Sequence, residues 1–356
     1  MNASDVVEPD AVAGPALSAG GAVQPLIELA QVSKRFGRKA DLLSRLAARL
    51  GGRLPLRHVH ALDQVDLSVM PGEVVGLVGE SGCGKSTLGR VVAGIHQQSS
   101  GDLFYKGGNV ANLSLSKRRD FTRRVQMVFQ DPYASLNPRM RVGQMVSEAP
   151  IAHGLVSAVE ADDYAATMLR MVGLDPGLRR RFPHQFSGGQ RQRICIARAL
   201  AVKPDFLVCD EAVASLDVSI QAQVLNLFMD LKDSLGLTYL FISHDLNVVR
   251  FLSDRIVIMY LGRVVESATT EALFSAPSHP YTRALVEQVP QLDGRRQQFR
   301  PIEGEIPSPL APPPGCHFHP RCAQAGPRCR IEMPALRPVA GGHLAACHLY
   351  DGGTGA

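Results

Sequence analysis

Five short apolar runs punctuate the chain: Val74–Val78, Val125–Phe129, Phe206–Cys209, Tyr239–Ile242 and Arg255–Met259. Runs of this length, rich in Val, Ile and Leu, predict strands buried on both faces of a largely parallel sheet that helices cover. Leu26–Val32 and Ala61–Val69 read differently, because the second alternates apolar and polar positions. That period predicts an antiparallel layer beside the main sheet. A return strand is expected to begin near Val264, after the turn Leu261-Gly262. The segment Val218–Leu235 has a helical period, with Ile220, Val224, Leu227, Phe228, Leu231 and Leu235 on one stripe and Gly236 as a stop. From Asp131 to about Lys203 the pattern is helical and loop-rich. After about Thr270 prolines accumulate (Pro277, Pro280, Pro290, Pro301, Pro307, Pro309 and Pro312 to Pro314), which predicts an irregular extension.

The expected organisation is therefore α/β: a flexible leader over 1–24, a main domain over 25–270 with a helical subdomain at about 131–203, and an extension over 271–356. No stretch reaches 18 uninterrupted apolar residues, and the best candidate, Val224 to Ile242, is broken by Asp230, Lys232 and Asp233. A membrane span is not expected. Residues 1–24 lack the positive start and compact apolar core of a signal peptide. The net charge of +5 is too small to imply a nucleic-acid partner. Much of it is local, since Lys34 to Arg57 holds eight Lys or Arg and one Asp. Within it, Asp41–Leu54 sets leucines at helical spacing between arginines. It reads as a solvated insertion, with a membrane-surface contact as the alternative.

Chemistry enters directly after Val74–Val78, where Gly79-Glu80-Ser81-Gly82-Cys83-Gly84-Lys85-Ser86-Thr87 forms a phosphate-binding loop. Its glycines let backbone N–H groups turn inward around phosphate oxygens, Lys85 adds a point charge, and Ser86 offers a hydroxyl to Mg²⁺. A helix is expected to start here, its N-terminus facing the anion. The run Phe206–Cys209 ends in Asp210 and Glu211, two carboxylates at a second strand tip. Ser187-Gly188-Gly189-Gln190 lies between the two, Ser215-Leu216-Asp217 follows, and Ser243-His244-Asp245 comes after the next apolar run.

This set resembles the ATP-binding subunit of an ABC transporter, and the fold it implies is a P-loop NTPase of ABC type. The resemblance implies ATP and Mg²⁺ as ligands, with Lys85 on the β- and γ-phosphates and Ser86 and Asp210 at the metal. Glu211 is expected to be the general base or water-positioning residue. Gln130, within Val128-Phe129-Gln130-Asp131-Pro132, is expected to touch the metal and the water, and His244 to sense the γ-phosphate. Ser187 to Gln190 would complete the site of an opposing subunit, with Asp217 near the shared boundary, so two ATPase subunits would sandwich two nucleotides. Phe36 is the expected adenine-stacking residue, with His60 as the fallback. Ala212 and Val213 stand where the family commonly has proline and threonine or serine, which leaves the carboxylates intact.

The end of the chain narrows the resemblance. His279-Pro280-Tyr281-Thr282-Arg283-Ala284-Leu285, Gly304–Pro309 and Gly315–Cys322 resemble the tail of oligopeptide and dipeptide importer ATPases, a group that includes nickel and glutathione systems. The implied role is ATP hydrolysis driving import of di- or oligopeptides. Implied partners are two permease subunits, a second identical or homologous ATPase and an external binding protein, with the chain peripheral at the cytoplasmic face of the membrane. Cys316, Cys322, Cys329 and Cys347 lack the C-x2-C knuckle usual for zinc. From the family a [4Fe–4S] cluster is expected there, with zinc or unligated thiols as alternatives.

Overall fold

A computed structural model describes residues 24–37, 58–289, 302–339 and 343–351. The leader over 1–23 and nearly all of the basic insertion, residues 38–57, lie outside the described residues. The strands are β1 (Ile27–Gly37), β2 (His58–Val69), β3 (Val74–Val78), β4 (Ser100–Tyr105), β5 (Gly108–Asn109), β6 (Val125–Val128), β7 (Phe206–Asp210), β8 (Thr238–Ser243), β9 (Arg255–Tyr260), β10 (Arg263–Thr269), β11 (Arg337–Pro338) and β12 (Leu344–Ala345).

They form two sheets. The first is antiparallel in the order β2-β1-β4-β5, and the second runs β11-β12-β10-β9-β3-β8-β7-β6. In the second, β3 lies parallel to both β8 and β9, and β7 parallel to both β6 and β8. All residues of β3, β7 and β8 are buried, which is why their sequences are continuous apolar runs rather than alternating ones. The register sets Val78 opposite Ser243 and Asp210 opposite Ile242, so three strand tips that carry chemistry lie side by side at the C-terminal ends of parallel strands.

The helix Val218–Leu235 buries Val224, Leu225, Leu227, Phe228 and Leu231. Phe228 meets Tyr239 and Phe241 of β8 edge to face at 5.8 and 5.7 Å. Gly236 ends the helix at φ 63°, the left-handed conformation expected of a stop. Leu235, expected on the buried stripe, is exposed and lines a surface hollow with Pro71 and Pro204. Between β6 and β7 the described structure holds four α-helices, Pro132–Ser135, Val142–Ala152, Ala161–Met171 and Gly188–Leu200. None of the described helices is long and apolar enough to cross a membrane.

The β4–β5 hairpin was not foreseen from the apolar pattern. Its turn uses Lys106 at φ 48° and Gly107 at φ 72°, the pair of positive values that suits a two-residue hairpin. The segment beyond residue 270 also contributes to the main sheet, where β12 pairs antiparallel with β10 and β11 with β12. Glu266 of β10, fully buried, accepts hydrogen bonds from Ser278 N (2.7 Å) and His279 N (2.8 Å), and His343 Nδ1 lies 3.3 Å away.

Candidate active site

The phosphate loop leaves the tip of β3 and enters the helix Lys85–Val92. Gly84, at φ 107°, caps that helix; a Cβ there would sit 2.3 Å from the Ala61 carbonyl oxygen, so only glycine fits the turn. Gly79 and Cys83 are buried, Ser81 and Gly82 are exposed, and Ser86 and Thr87 are partly buried at the first helical turn. Burial pushes the Cys83 thiol up from its ordinary value, which keeps it neutral and packed rather than nucleophilic. Lys85, itself buried, donates from Nζ to the carbonyl oxygens of Gly79 (2.7 Å) and Glu80 (3.1 Å). Its charge is thus held against the loop that it serves.

Ser86 Oγ donates to Asp210 Oδ1 at 2.8 Å, which brings the first loop and the second strand tip into contact. Burial raises the Asp210 carboxyl above its ordinary range, and the Ser86 hydroxyl opposes that rise. A buried carboxylate beside a hydroxyl is a hard-oxygen pair of the kind that Mg²⁺ takes. Such a pair fits the ion that accompanies nucleotide phosphates.

Glu211 turns out of β7 at φ 48°, uncommon for a residue with a Cβ, and donates its N–H to the Ile242 carbonyl at 3.0 Å. Two other side chains meet its carboxylate. Gln130 Nε2 donates to Oε2 at 2.7 Å, and His244 Nδ1 lies 3.4 Å from Oε1. The Glu211 side chain is 16% exposed and that of His244 58%, so the group stands at the rim of the sheet with access to solvent. Gln130, Asp210, Glu211 and His244 follow β6, end β7 or follow it, and follow β8, three neighbouring strands of one sheet.

The remaining predicted residues lie elsewhere. Ser187 caps the helix Gly188–Leu200: its hydroxyl accepts from Gln190 N at 3.3 Å, and Gln190 Oε1 accepts from Ser187 N at 3.1 Å. Gly189 packs so closely on Ile220 that a Cβ would come within 2.4 Å of its Cγ2, while Gly188 is exposed. No hydrogen bond among the described residues joins this helix start to the phosphate loop of the same chain. Asp217 is the exposed residue preceding the helix Val218–Leu235 and makes no capping bond with its side chain. Phe36, near the end of β1, is 39% exposed, with His96 edge-on at 5.5 Å and Lys34 Nζ 5.0 Å from its ring. His60, the fallback, lies opposite Arg35 in β2.

The expected iron–sulfur site is not formed. Among the described residues, which include Cys316, Cys322, Cys329 and Cys347, no group of three or more His, Cys, Asp or Glu side chains is arranged to hold a metal ion. The four are free cysteines, each partly buried. Cys316 and Cys322 pack against an apolar cluster that contains Tyr260, Tyr281 and Phe318. Burial pushes the Cys316 thiol up to about 11 and raises Cys322 and Cys347 as well. The structural role of the segment falls to packing and ion pairs instead.

Glu80, Tyr281 and Arg321 carry no individual role in the sequence pattern, and the fold joins them. Glu80 donates its N–H to the Tyr281 hydroxyl oxygen at 2.9 Å, and its carboxylate pairs with Arg321. The signal available was an acidic residue within an otherwise small, polar loop.

Comparison with known proteins bears on this geometry. The ABC transporter family profile matches residues 62–214, and the profile for the oligopeptide/dipeptide transporter C-terminal region matches residues 265–329. The oligopeptide transport ATP-binding protein AppF of Bacillus subtilis is 45% identical over 332 residues, covering 92% of this chain and 98% of the relative. The dipeptide transport ATP-binding protein DppF of Haemophilus influenzae is 48% identical over 297 residues, 83% of this chain and 90% of the relative. Among solved structures, the cassette MJ0796, described as dimeric in a post-hydrolysis state with ADP and Pi, superposes with TM-score 0.58 at 27% identity, over 68% of this chain and 98% of its own. CbiO1 of Clostridium perfringens superposes with TM-score 0.59 at 24% identity, over 71% and 92%, and speaks to the fold alone.

Proposed function

The chain belongs to the family of ABC transporter ATP-binding subunits that carry the oligopeptide/dipeptide C-terminal region, and from that premise we propose that its ATPase activity drives import of di- or oligopeptides. The observation that carries the catalytic part is the meeting of Gln130 and His244 on the Glu211 carboxylate, one residue from the Ser86–Asp210 pair.

Cleavage of a γ-phosphate asks for charge neutralisation, an in-line water and a group that orients it. Lys85 and the backbone N–H groups of Gly79–Thr87 bind the phosphates, with the Lys85 ammonium held at the loop by the Gly79 and Glu80 carbonyls. Ser86 and Asp210 would hold Mg²⁺, which supplies charge neutralisation on the phosphates when bound; Gln130 would join them. Glu211 accepts or orients the proton of the attacking water. Gln130 fixes one carboxylate oxygen and leaves the other toward His244, the proposed sensor of the γ-phosphate. Ser187–Gln190 and Asp217 make no hydrogen bond to this loop among the described residues; in this reading they serve the nucleotide of a second ATPase subunit, and ATP closes the pair. Phe36 is the proposed adenine platform.

The partners in this reading are two permease subunits, a second ATPase and an external peptide-binding protein, with the chain peripheral at the cytoplasmic face of the membrane. Peptide cargo is supported by the names of the relatives and by the match over residues 265–329. Glu211→Gln tests the catalytic assignment. Steady-state turnover is expected to fall by roughly 10²–10⁴-fold, while ATP binding persists and the ATP-bound dimer accumulates on size exclusion. Unchanged turnover in Glu211→Gln would remove Glu211 from the mechanism.

A further inference from the structure

Glu80 is the second residue of the phosphate loop, and three of its groups are tethered. Its carboxylate takes a bidentate grip from Arg321, Nη1 to Oε2 at 2.7 Å and Nη2 to Oε1 at 3.0 Å. Its N–H donates to the Tyr281 hydroxyl at 2.9 Å. Its carbonyl accepts from Lys85 Nζ at 3.1 Å and from Cys83 N at 3.2 Å. The first two partners belong to the segment beyond residue 270, and the third is the lysine that reaches for phosphate.

The gripping groups are themselves fixed. The Arg321 side chain is 4% exposed and also donates to the Tyr260 hydroxyl (3.4 Å) and the Glu303 carbonyl (3.3 Å). Tyr281 is fully buried, and its ring meets those of Tyr260 and Phe318 at 4.8 and 5.3 Å. A buried ion pair contributes little net stability over well-packed apolar residues, whereas a two-pronged guanidinium–carboxylate pair fixes geometry closely. Here the geometry it fixes is the start of the loop whose later glycines, Gly82 and Gly84, have the freedom of positive φ. A loop already held in shape loses less entropy on closing around an anion.

We propose that the C-terminal segment is a positioning device for the phosphate loop: Arg321 and Tyr281 hold Glu80, and through it the loop and Lys85, in the shape that binds ATP. The inference rests on reading Gly79–Thr87 as the ATP site. Arg321 and Tyr281 are positioning residues, since both side chains are buried and act through Glu80. The affinity for ATP then depends on whether the C-terminal segment is seated, which gives that segment a lever on the ATPase without any contact to the reacting atoms.

The test uses the full chain, with a fluorescent ATP analogue for affinity, ATPase kinetics for KM and kcat, and nucleotide-free melting curves. Arg321→Gln is expected to weaken ATP binding and raise KM by about tenfold or more, with kcat at saturating ATP changed far less. Tyr281→Phe keeps the ring packing but removes the acceptor of the Glu80 N–H, so it folds and shifts KM in the same direction. The double variant Glu80→Gln with Arg321→Gln should be no worse than the poorer single variant, because both remove one contact. A lowered melting temperature with unchanged KM in Arg321→Gln and Tyr281→Phe, or additive effects in the double variant, would overturn the proposal. Failure of the wild-type chain to bind the ATP analogue would instead overturn the ATP-site reading beneath it.

Discussion

Single side chains at this site are set by their neighbours more than by their type. Asp210 and Glu211 are adjacent, yet one is buried against the Ser86 hydroxyl and the other stands at the rim between Gln130 and His244. The phosphate loop, the two carboxylates and His244 were legible because each sits at a fixed offset from an apolar run. The ion pair of Glu80 with Arg321 was not, because the two residues are separated by most of the chain and only folding brings them together. Cysteine spacing misled for a related reason: sequence intervals do not say whether side chains come together in a metal-holding arrangement, and among the described residues none does. His279 gives a prediction of its own. Its buried ring accepts from Tyr281 N, and burial pushes its pKa from 6.5 to about 3. The unfolded chain therefore binds a proton that the folded chain refuses between these values, so stability is full above about pH 6.5 and falls as the pH drops toward 3. His279→Asn keeps a capping acceptor at the start of the helix Pro280–Glu287. It is expected to remove up to about 1.4 kcal/mol per pH unit from the slope of unfolding free energy in that interval, measured by denaturant melts at a series of pH values. An unchanged slope would show that His279 is not a source of acid sensitivity.

At the scale of elements, the central strands and the helix Val218–Leu235 could be read from their apolar periods, since burial on two faces or one leaves a direct imprint on composition. The β4–β5 hairpin left a weaker trace. It is short, its register with β1 is antiparallel, and a polar Ser-Gly-Asp start hides the alternation of buried Leu103 and Tyr105. The pairing of β12 with β10 was hidden too, because two residues carry no period. Gly236 allows a direct check on why the long helix stops. It adopts φ 63° with nothing within 4 Å of where a Cβ would lie, so a substitution meets conformational strain and no clash. Gly236→Ala should cost about 1 kcal/mol, and Gly236→Asn less, read from chemical denaturation. Equal stability of the alanine variant would mean that the left-handed cap is not a constraint.

Across the whole molecule, Ser86, Gln130, Asp210, Glu211 and His244 meet in hydrogen-bonded or close pairs at the strand ends of one sheet, while the capped helix start Ser187–Gln190 makes no hydrogen bond to the phosphate loop among the described residues. That division fits the proposal that two ATPase subunits close on each other over the nucleotides. The C-terminal segment, seated on β10 and on Glu80, links the family-specific end of the chain to the ATP site. The most direct test of this account is uptake of a labelled dipeptide into proteoliposomes that hold the chain assembled with its permeases, supplied with binding protein outside and Mg-ATP within. ATP-dependent accumulation with wild-type protein, abolished by Glu211→Gln, is the predicted result. Uptake that ignores both ATP and the Glu211 substitution, with the chain assembled and folded, would contradict the claim that its ATPase drives peptide import.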